Sequence, residues 1–226
     1  EILETIKPLL EKEGYKLEIV EFTDYVQPNV ALNDKELDAN FFQHLPYLDN
    51  FISEHKEMKI ANAGGIHIEP MGVYSRKIKK LDELKDGASI AIPNDPTNGG
   101  RSLLLLEKAG LLKLREGSGT NPTVQDVTEN KKNLKFQEVE AAQVPRTLDD
   151  VDAAVINTNY AMQANLVPTK DALFMEDSTS PYVNIVAVRT GDEKRPEIQA
   201  LMKALKSEEV KKFIDEKYKG AIVPAF

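Results

Sequence analysis

Ile2, Ile6, Leu9 and Leu10 fall on one face of a helix and Gly14 supplies a stop, so the spacing predicts a helix over residues 2–13. Leu17 and Ile19 alternate around Glu18, which predicts a strand over 17–22. Residues 33–38 are polar and turn-like, and 39–53 read as a loop leading into a helix with an aromatic cluster, Phe41, Phe42, Tyr47 and Phe51. Residues 66–74 are extended, with interruptions at Pro70 and Gly72; 77–84 is charged, and Asp82 opens a short helical turn. A strand over 89–92 ends at Pro93 and is followed by the turn-rich run Asn94-Asp95-Pro96-Thr97-Asn98-Gly99-Gly100, then by a helix over 101–109 that stops at Gly110. Further strands are predicted at 134–139, 153–156 and 182–188, with a short acidic helical piece at 147–150. Two amphipathic helices follow at 196–205, with proline at its first position, and at 208–218.

Strands alternating with helices predict an α/β chain with a mostly parallel sheet. Ligands of such sheets bind beyond the carboxyl ends of the strands. Two segments occupy that position, 94–100 and Asn157-Thr158-Asn159, the latter closing the apolar strand at 153–156.

Composition narrows the function classes. The chain has 226 residues and a formal net charge of −8, which is not the electrostatic footprint of a nucleic-acid binder. With no cysteine there is no disulfide framework, cysteine zinc site or thiol nucleophile. The longest aliphatic string, residues 103–106, is far below the roughly 20 residues of a membrane span. The opening at Glu1, without an initiator methionine, reads as a processed product whose targeting segment is gone.

No catalytic signature emerges. Gly99-Gly100-Arg101-Ser102 lacks the spacing and lysine of a phosphate-binding loop, and there is no Gly-x-Ser-x-Gly elbow. The three histidines, His44, His55 and His67, form no metal-ligand pattern, so neither a metal nor a cofactor is expected. What stands out is polar and placed at strand ends. Arg101, read as lying at or near the first turn of its helix, suits a carboxylate or phosphate; alternatively Thr97 or Asn98 merely caps that helix and Arg101 is a surface side chain. Asn157 and Asn159 can donate and accept toward a zwitterion, or simply form a turn. Asn184 lies inside an apolar strand and needs partners there. His67 and Glu69 share one side of an extended segment and can equally be structural. The aromatic cluster reads as core, or as the edge of a pocket.

Long motifs then carry a resemblance. Asp38-Ala39-Asn40-Phe41-Phe42-Gln43-His44-Leu45-Pro46-Tyr47-Leu48, Ile66-His67-Ile68-Glu69-Pro70-Met71-Gly72-Val73-Tyr74-Ser75, Ile92-Pro93-Asn94-Asp95-Pro96-Thr97-Asn98, the run Gly100-Arg101-Ser102 with its four leucines, Asp152-Ala153-Ala154-Val155-Ile156-Asn157-Thr158-Asn159-Tyr160-Ala161 and Ser180-Pro181-Tyr182-Val183-Asn184 resemble the NlpA family, the methionine-binding lipoproteins of bacterial ABC importers. The resemblance runs in order over essentially the whole chain. It implies a two-lobe, type II-like periplasmic-binding-protein fold with a ligand cleft between lobes, lobe one spanning 1–75 plus 185–226 and lobe two 76–184.

The resemblance further implies a non-enzymatic, monomeric receptor at the cell surface or in the periplasm. It would carry L-methionine or a close relative to an ABC permease and be tied to the membrane by a lipid anchor that this chain does not contain. Arg101 resembles the partner of the ligand carboxylate, Asn157 and Asn184 the residues that bind its amino-acid head, and Tyr47 and His67 part of the side-chain wall. Arg146 is a rival carboxylate partner, read instead as an ion pair with Asp149 or Asp150. Glu69, where some members carry an aromatic residue, would let a methionine-containing dipeptide such as glycyl-methionine bind; otherwise it faces solvent or a lysine. An enzyme on the same scaffold and a sensing domain of a regulator are the rival classes. The first lacks a nucleophile–base pair in the sequence, the second an attached module.

Overall fold

The first helix shows how local spacing becomes structure. Ile2, Ile6 and Leu10 are buried along one face, and the chain leaves through Gly14 at φ +86°. Gly14 N–H donates to Glu11 O and Tyr15 N–H to Leu10 O, a paired terminal closure that a side chain at position 14 would strain. A computed structural model describes residues 1–226. In chain order it contains α1 (Ile2–Lys12), α2 (Gln27–Asn33), β1 (Asn40–His44), α3 (Leu45–Glu54), β2 (Ile60–Ile68), β3 (Gly72–Tyr74), β4 (Ser89–Pro93), α4 (Pro96–Lys108), β5 (Lys113–Leu114) and β6 (Val127–Glu129). There follow β7 (Lys135–Val139), β8 (Ala153–Ile156), α5 (Thr158–Gln163), α6 (Pro168–Asp171), β9 (Phe174–Met175), β10 (Val183–Arg189), α7 (Pro196–Leu205), α8 (Glu208–Tyr218) and β11 (Val223–Pro224). Single 3-10 turns lie at Leu81–Glu83 and Val124–Asp126, and a longer 3-10 stretch at Ala141–Asp149.

The chain divides into two units, 1–69 with 180–226, and 70–179. The crossings fall at Glu69/Pro70 and Thr179/Ser180, a few residues before the expected 75 and 185. The cause is pairing: Gly72–Tyr74 already lies against Ile156–Ala154 in the second unit's sheet, and Val183 already pairs with Ile68 in the first.

The first unit holds a four-stranded sheet ordered β1-β10-β2-β11, in which every pair is antiparallel. Its core joins Leu32, Leu48, Ile60, Ile185 and Ala187. The second unit holds a five-stranded sheet ordered β7-β4-β8-β3-β9. There β4 is parallel to β7 and β8, while β3 is antiparallel to β8 and β9. Its core includes Val73, Ile90, Ile92, Leu103, Leu106 and Val155. Fully burying each such side chain is worth about 1.5–3 kcal/mol. The expectation of a mostly parallel sheet therefore holds for the second unit's sheet, where every strand but β3 runs the same way, and not for the first unit's. In the second unit's sheet only β3 runs against the others: β9, antiparallel to β3, runs the same way as β7, β4 and β8, and β5–β6 is a separate antiparallel pair.

Three local expectations also change. Residues 17–22 keep their alternation, with Leu17 and Ile19 half-buried and Glu18 and Val20 exposed, but no strand pairs with them and they join no sheet. Residues 40–44 form β1 instead of a loop, because Phe41 and Phe42 suit a half-buried pleat. The helix expected at 101–109 begins at Pro96. Asp95 caps it, accepting from Asn98 N–H at 2.9 Å, and proline holds the first position, so the run read as a loop is its first turn. Gly99 and Gly100 sit inside this helix despite a cost of about 1 kcal/mol each in propensity. A Cβ at Gly99 would lie 2.9 Å from Pro93 O, and one at Gly100 2.7 Å from Asn121 Cα, so close backbone approach requires glycine at both.

Candidate functional site

In the second unit the site grows from the capped start of α4. The Asp95 carboxylate accepts from the Thr97 hydroxyl and, at 3.0–3.1 Å, from Asn98 Nδ2. That contact orients the Asn98 amide and turns its Oδ1 toward Asn157, whose Nδ2 donates to it at 3.0 Å. Asn157 stands at the N-cap position of α5 without capping it. Its Oδ1 is buried with no hydrogen-bond partner. Reversing the amide would set two oxygens against each other, so the Asp95–Asn98 contact dictates that Asn157 presents an acceptor.

One turn beyond Asn98, Arg101 occupies the second turn of α4 and not its first. It is 3% exposed, so it is not a surface side chain. Its Nε and Nη2 donate to the two carboxylate oxygens of Glu176 at 2.8 and 2.5 Å. Glu176, just after β9, also accepts from Met71 N–H at 2.9 Å, and its own N–H donates to Met71 O at 2.9 Å. Next door, the Thr158 hydroxyl donates to Pro70 O at 2.5 Å. The entry segment 70–71 is thus tied to both Asn157's helix and Arg101's partner.

In the first unit the register across three strands aligns His44, Asn184 and His67, with Pro224 beyond. His67 is 3% exposed and its Nε2 lies 2.8 Å from Glu69 Oε1. Asn184 Nδ2 donates to the same oxygen at 3.3 Å. The arrangement that satisfies the carboxylate has both nitrogens donating to it, which leaves the contact between Asn184 Nδ2 and His67 Nε2 non-bonding and makes Nδ1 of a neutral His67 a buried acceptor without a partner. Glu69 neither faces solvent nor pairs with a lysine: its side chain is 18% exposed and its partner is His67. The Tyr218 phenol, whose hydroxyl donates to Glu1, is pushed well up in pKa by burial, with Glu1 and the Glu69 charge adding to the effect.

Tyr47 stands in the first turn of α3, where its N–H donates to His44 Nδ1 at 3.1 Å, so a histidine caps the helix. Its hydroxyl donates to Tyr25 O at 3.0 Å. Tyr25, Phe42, His44 and Phe51 surround its ring, Tyr182 meets His44 edge-on at 5.0 Å, and Phe41 meets His67 edge-on at 5.1 Å. The aromatic cluster therefore serves both readings: Phe51 is core, while Phe41 backs the His67 group. Behind it Asn29, Asn40 and Gln43 form a closed, buried set of amide hydrogen bonds at 2.8–3.0 Å that fixes β1.

The expected site residues thus form two groups: Tyr47, His67, Glu69 and Asn184 in the first unit, Arg101 and Asn157 in the second. Arg146 joins neither, being exposed, and Asp149 pairs at 2.6 Å with Arg76 in its place. Sequence reasoning did not single out Glu176, Asn98 as a relay, Tyr25 or Tyr182. Nothing distinguishes Glu176 among 37 acidic residues until the fold brings it to Arg101. No group of three or more histidine, aspartate or glutamate side chains could hold a metal ion, and no helix is long and apolar enough to cross a membrane.

Known proteins place these groups in a family. The model of the NlpA lipoprotein family matches residues 1–226. The chain is 51% identical over 214 residues to the probable D-methionine-binding lipoprotein MetQ of Vibrio cholerae, covering 94% of this chain and 79% of that one. It is 48% identical over 215 residues to the D-methionine-binding lipoprotein MetQ of Escherichia coli, with the same coverage. Among solved structures, a nutrient-binding protein from Burkholderia cenocepacia bound to methionine superposes with a TM-score of 0.96 at 52% identity, covering 100% of this chain and 95% of that one. The chain belongs to the NlpA lipoprotein family, a family of substrate-binding proteins and not of enzymes.

Proposed function

We propose that this protein is an extracytoplasmic, lipid-anchored receptor that binds L-methionine or a close relative as a monomer and delivers it to the permease of an ABC importer. The names of its relatives and the methionine-bound neighbour support the ligand class. The observation that carries the reading is the buried, unpartnered Asn157 Oδ1. A buried acceptor without a donor is costly, and an ammonium group supplies that donor. In this reading Arg101 takes the ligand carboxylate while Glu176 holds its guanidinium in place, Asn157 and Asn184 bind the amino-acid head, and Tyr47 and His67 wall the thioether, a soft group that suits aromatic and imidazole edges.

Free methionine is favoured over a dipeptide because Glu69, the group that would receive a more distant ammonium, is engaged by His67 and Asn184. Titration calorimetry with L-methionine, D-methionine and glycyl-methionine tests both levels. Free methionine binds and glycyl-methionine gives no heat if the reading holds. Asn157→Ala, folded by circular dichroism, then loses a hydrogen bond to a charged group worth about 1.5–3 kcal/mol, a weakening of at least about tenfold. Absence of methionine binding refutes the receptor reading, and an unchanged dissociation constant in the variant refutes the role of Asn157.

A further inference from the structure

We propose that Glu176 is a specificity-determining residue: by neutralising Arg101 it makes the second unit accept a net-neutral zwitterion and reject a ligand that brings only a carboxylate. The inference rests on the receptor reading above and deepens it.

Arg101 and Glu176 have side-chain exposures of 4% and 12%, and two parallel hydrogen bonds join them. The carboxylate is not there by chance. Met71 N–H holds one of its oxygens, and a backbone bond from Glu176 N–H to Met71 O holds its chain segment. Of the other carboxylates at α4, Asp95 before it is taken up by the helix start and by Asn98, and Glu107 near its end accepts from Leu114 N–H. The guanidinium therefore carries no surplus charge for a ligand to neutralise. An arriving carboxylate with no ammonium of its own leaves the buried group one negative charge in excess, and uncompensated buried charge is strongly unfavourable. A zwitterion leaves the sum at zero, and its ammonium meets a buried acceptor that lacks a donor, Asn157 Oδ1. A bare arginine would select any carboxylate; an arginine already paired with glutamate selects an amino acid.

The test compares L-methionine with 4-(methylthio)butanoate, the same skeleton without the amino group, by calorimetry on the full chain. Wild type is expected to prefer methionine at least 100-fold. Glu176→Gln, which keeps an acceptor for Met71 N–H but removes the charge, is expected to shrink that ratio at least tenfold. Glu176→Asp, which keeps the charge, is expected to weaken both ligands with the ratio within threefold of wild type. A Glu176→Gln ratio within threefold of wild type overturns the proposal and makes Glu176 a purely structural partner. Should Glu176→Gln not fold, wild type still decides: a preference below tenfold overturns the proposal. Wild type that binds no methionine overturns the receptor reading itself, whereas methionine binding with an unmoved ratio overturns only the role of Glu176.

Discussion

Replacing Arg101 by methionine removes the hydrogen bonds that its Nε and Nη2 give the Glu176 carboxylate, while the bond from Met71 N–H stays. Hydrogen bonds to charged groups are worth about 1.5–3 kcal/mol each, and stripping one partner from a buried ion pair costs about 3–5 kcal/mol. Glu176 retains some access to water, with 12% of its side chain exposed, so the loss belongs at the lower end, about 3 kcal/mol. The double variant Arg101→Met with Glu176→Gln removes the stranded charge and keeps an acceptor for Met71 N–H. It should recover about 2 kcal/mol of that loss, because replacing both members of a buried pair is far milder than removing one. Urea unfolding of wild type, both single variants and the double variant at pH 7 completes the cycle. A single-variant loss below about 1 kcal/mol, or a double variant no more stable than Arg101→Met, refutes the account of this pair as buried and mutually dependent.

Three further outcomes are expected. Tyr74→Phe should leave stability unchanged or raise it by up to about 1 kcal/mol, because the buried Tyr74 hydroxyl has no partner and burial already pushes its pKa well up; a clear loss in Tm would show an overlooked partner. Gly100→Ala sets a helix-propensity gain of about 1 kcal/mol against overpacking of about 1–3 kcal/mol, and the backbone of Asn121 at 2.7 Å from the new Cβ cannot swing aside, so thermal unfolding should show a net loss. Asp152 accepts from Ser89 N–H at 2.8 Å and from its hydroxyl, and these bonds, helped by Lys77 and Lys85, hold its carboxyl below the usual range. A depressed carboxylate contributes stability above its unfolded pKa of about 3.9, and that contribution fades as pH falls through the lower folded value. Wild type should therefore exceed Asp152→Asn in stability at pH 7, with the gap closing below about pH 3.9; a pH-independent gap would refute the assignment.

Much of the fold is legible because the periodic segments are also the buried ones. The helices at 196–205 and 208–218 and the strand at 153–156 keep their sequence limits. What escapes is pairing. The alternation at 17–22 is real, yet a strand exists only where another backbone lies alongside, and sequence periodicity carries no information about that neighbour. For the same reason the antiparallel sheet of the first unit and the reversed β3 escape: alternation with helices suggests parallel order, but the direction of β3 follows from where the chain enters the second unit. The start of α4 was legible in Asp95-Pro96 and was masked by the two glycines, whose purpose is close packing. At the site, Asn157 and Asn184 announced themselves as polar residues at the end of or within apolar strands. Glu176 could not, because its meaning lies wholly in the distant arginine it meets.

The tethering of the entry and exit segments has a consequence for how the chain is made. Leu173 N–H donates to Val73 O and Glu176 N–H to Met71 O, so the second unit begins and ends on neighbouring residues. The first unit cannot complete its sheet until β10, at Val183–Arg189, has left the ribosome to pair with β2 at Ile60–Ile68. Closing an open loop of that length would cost about 4 kcal/mol in chain entropy, growing as the logarithm of its length. If the inserted unit folds first, its own β3–β9 pairing brings the two ends together and removes most of that cost. The order of synthesis then favours a sequence in which the inserted unit matures first and the N-terminal segment waits, with its half of the sheet exposed, for the tail to arrive. Pulse-labelled hydrogen exchange during refolding should accordingly protect β4 and β8 before β2.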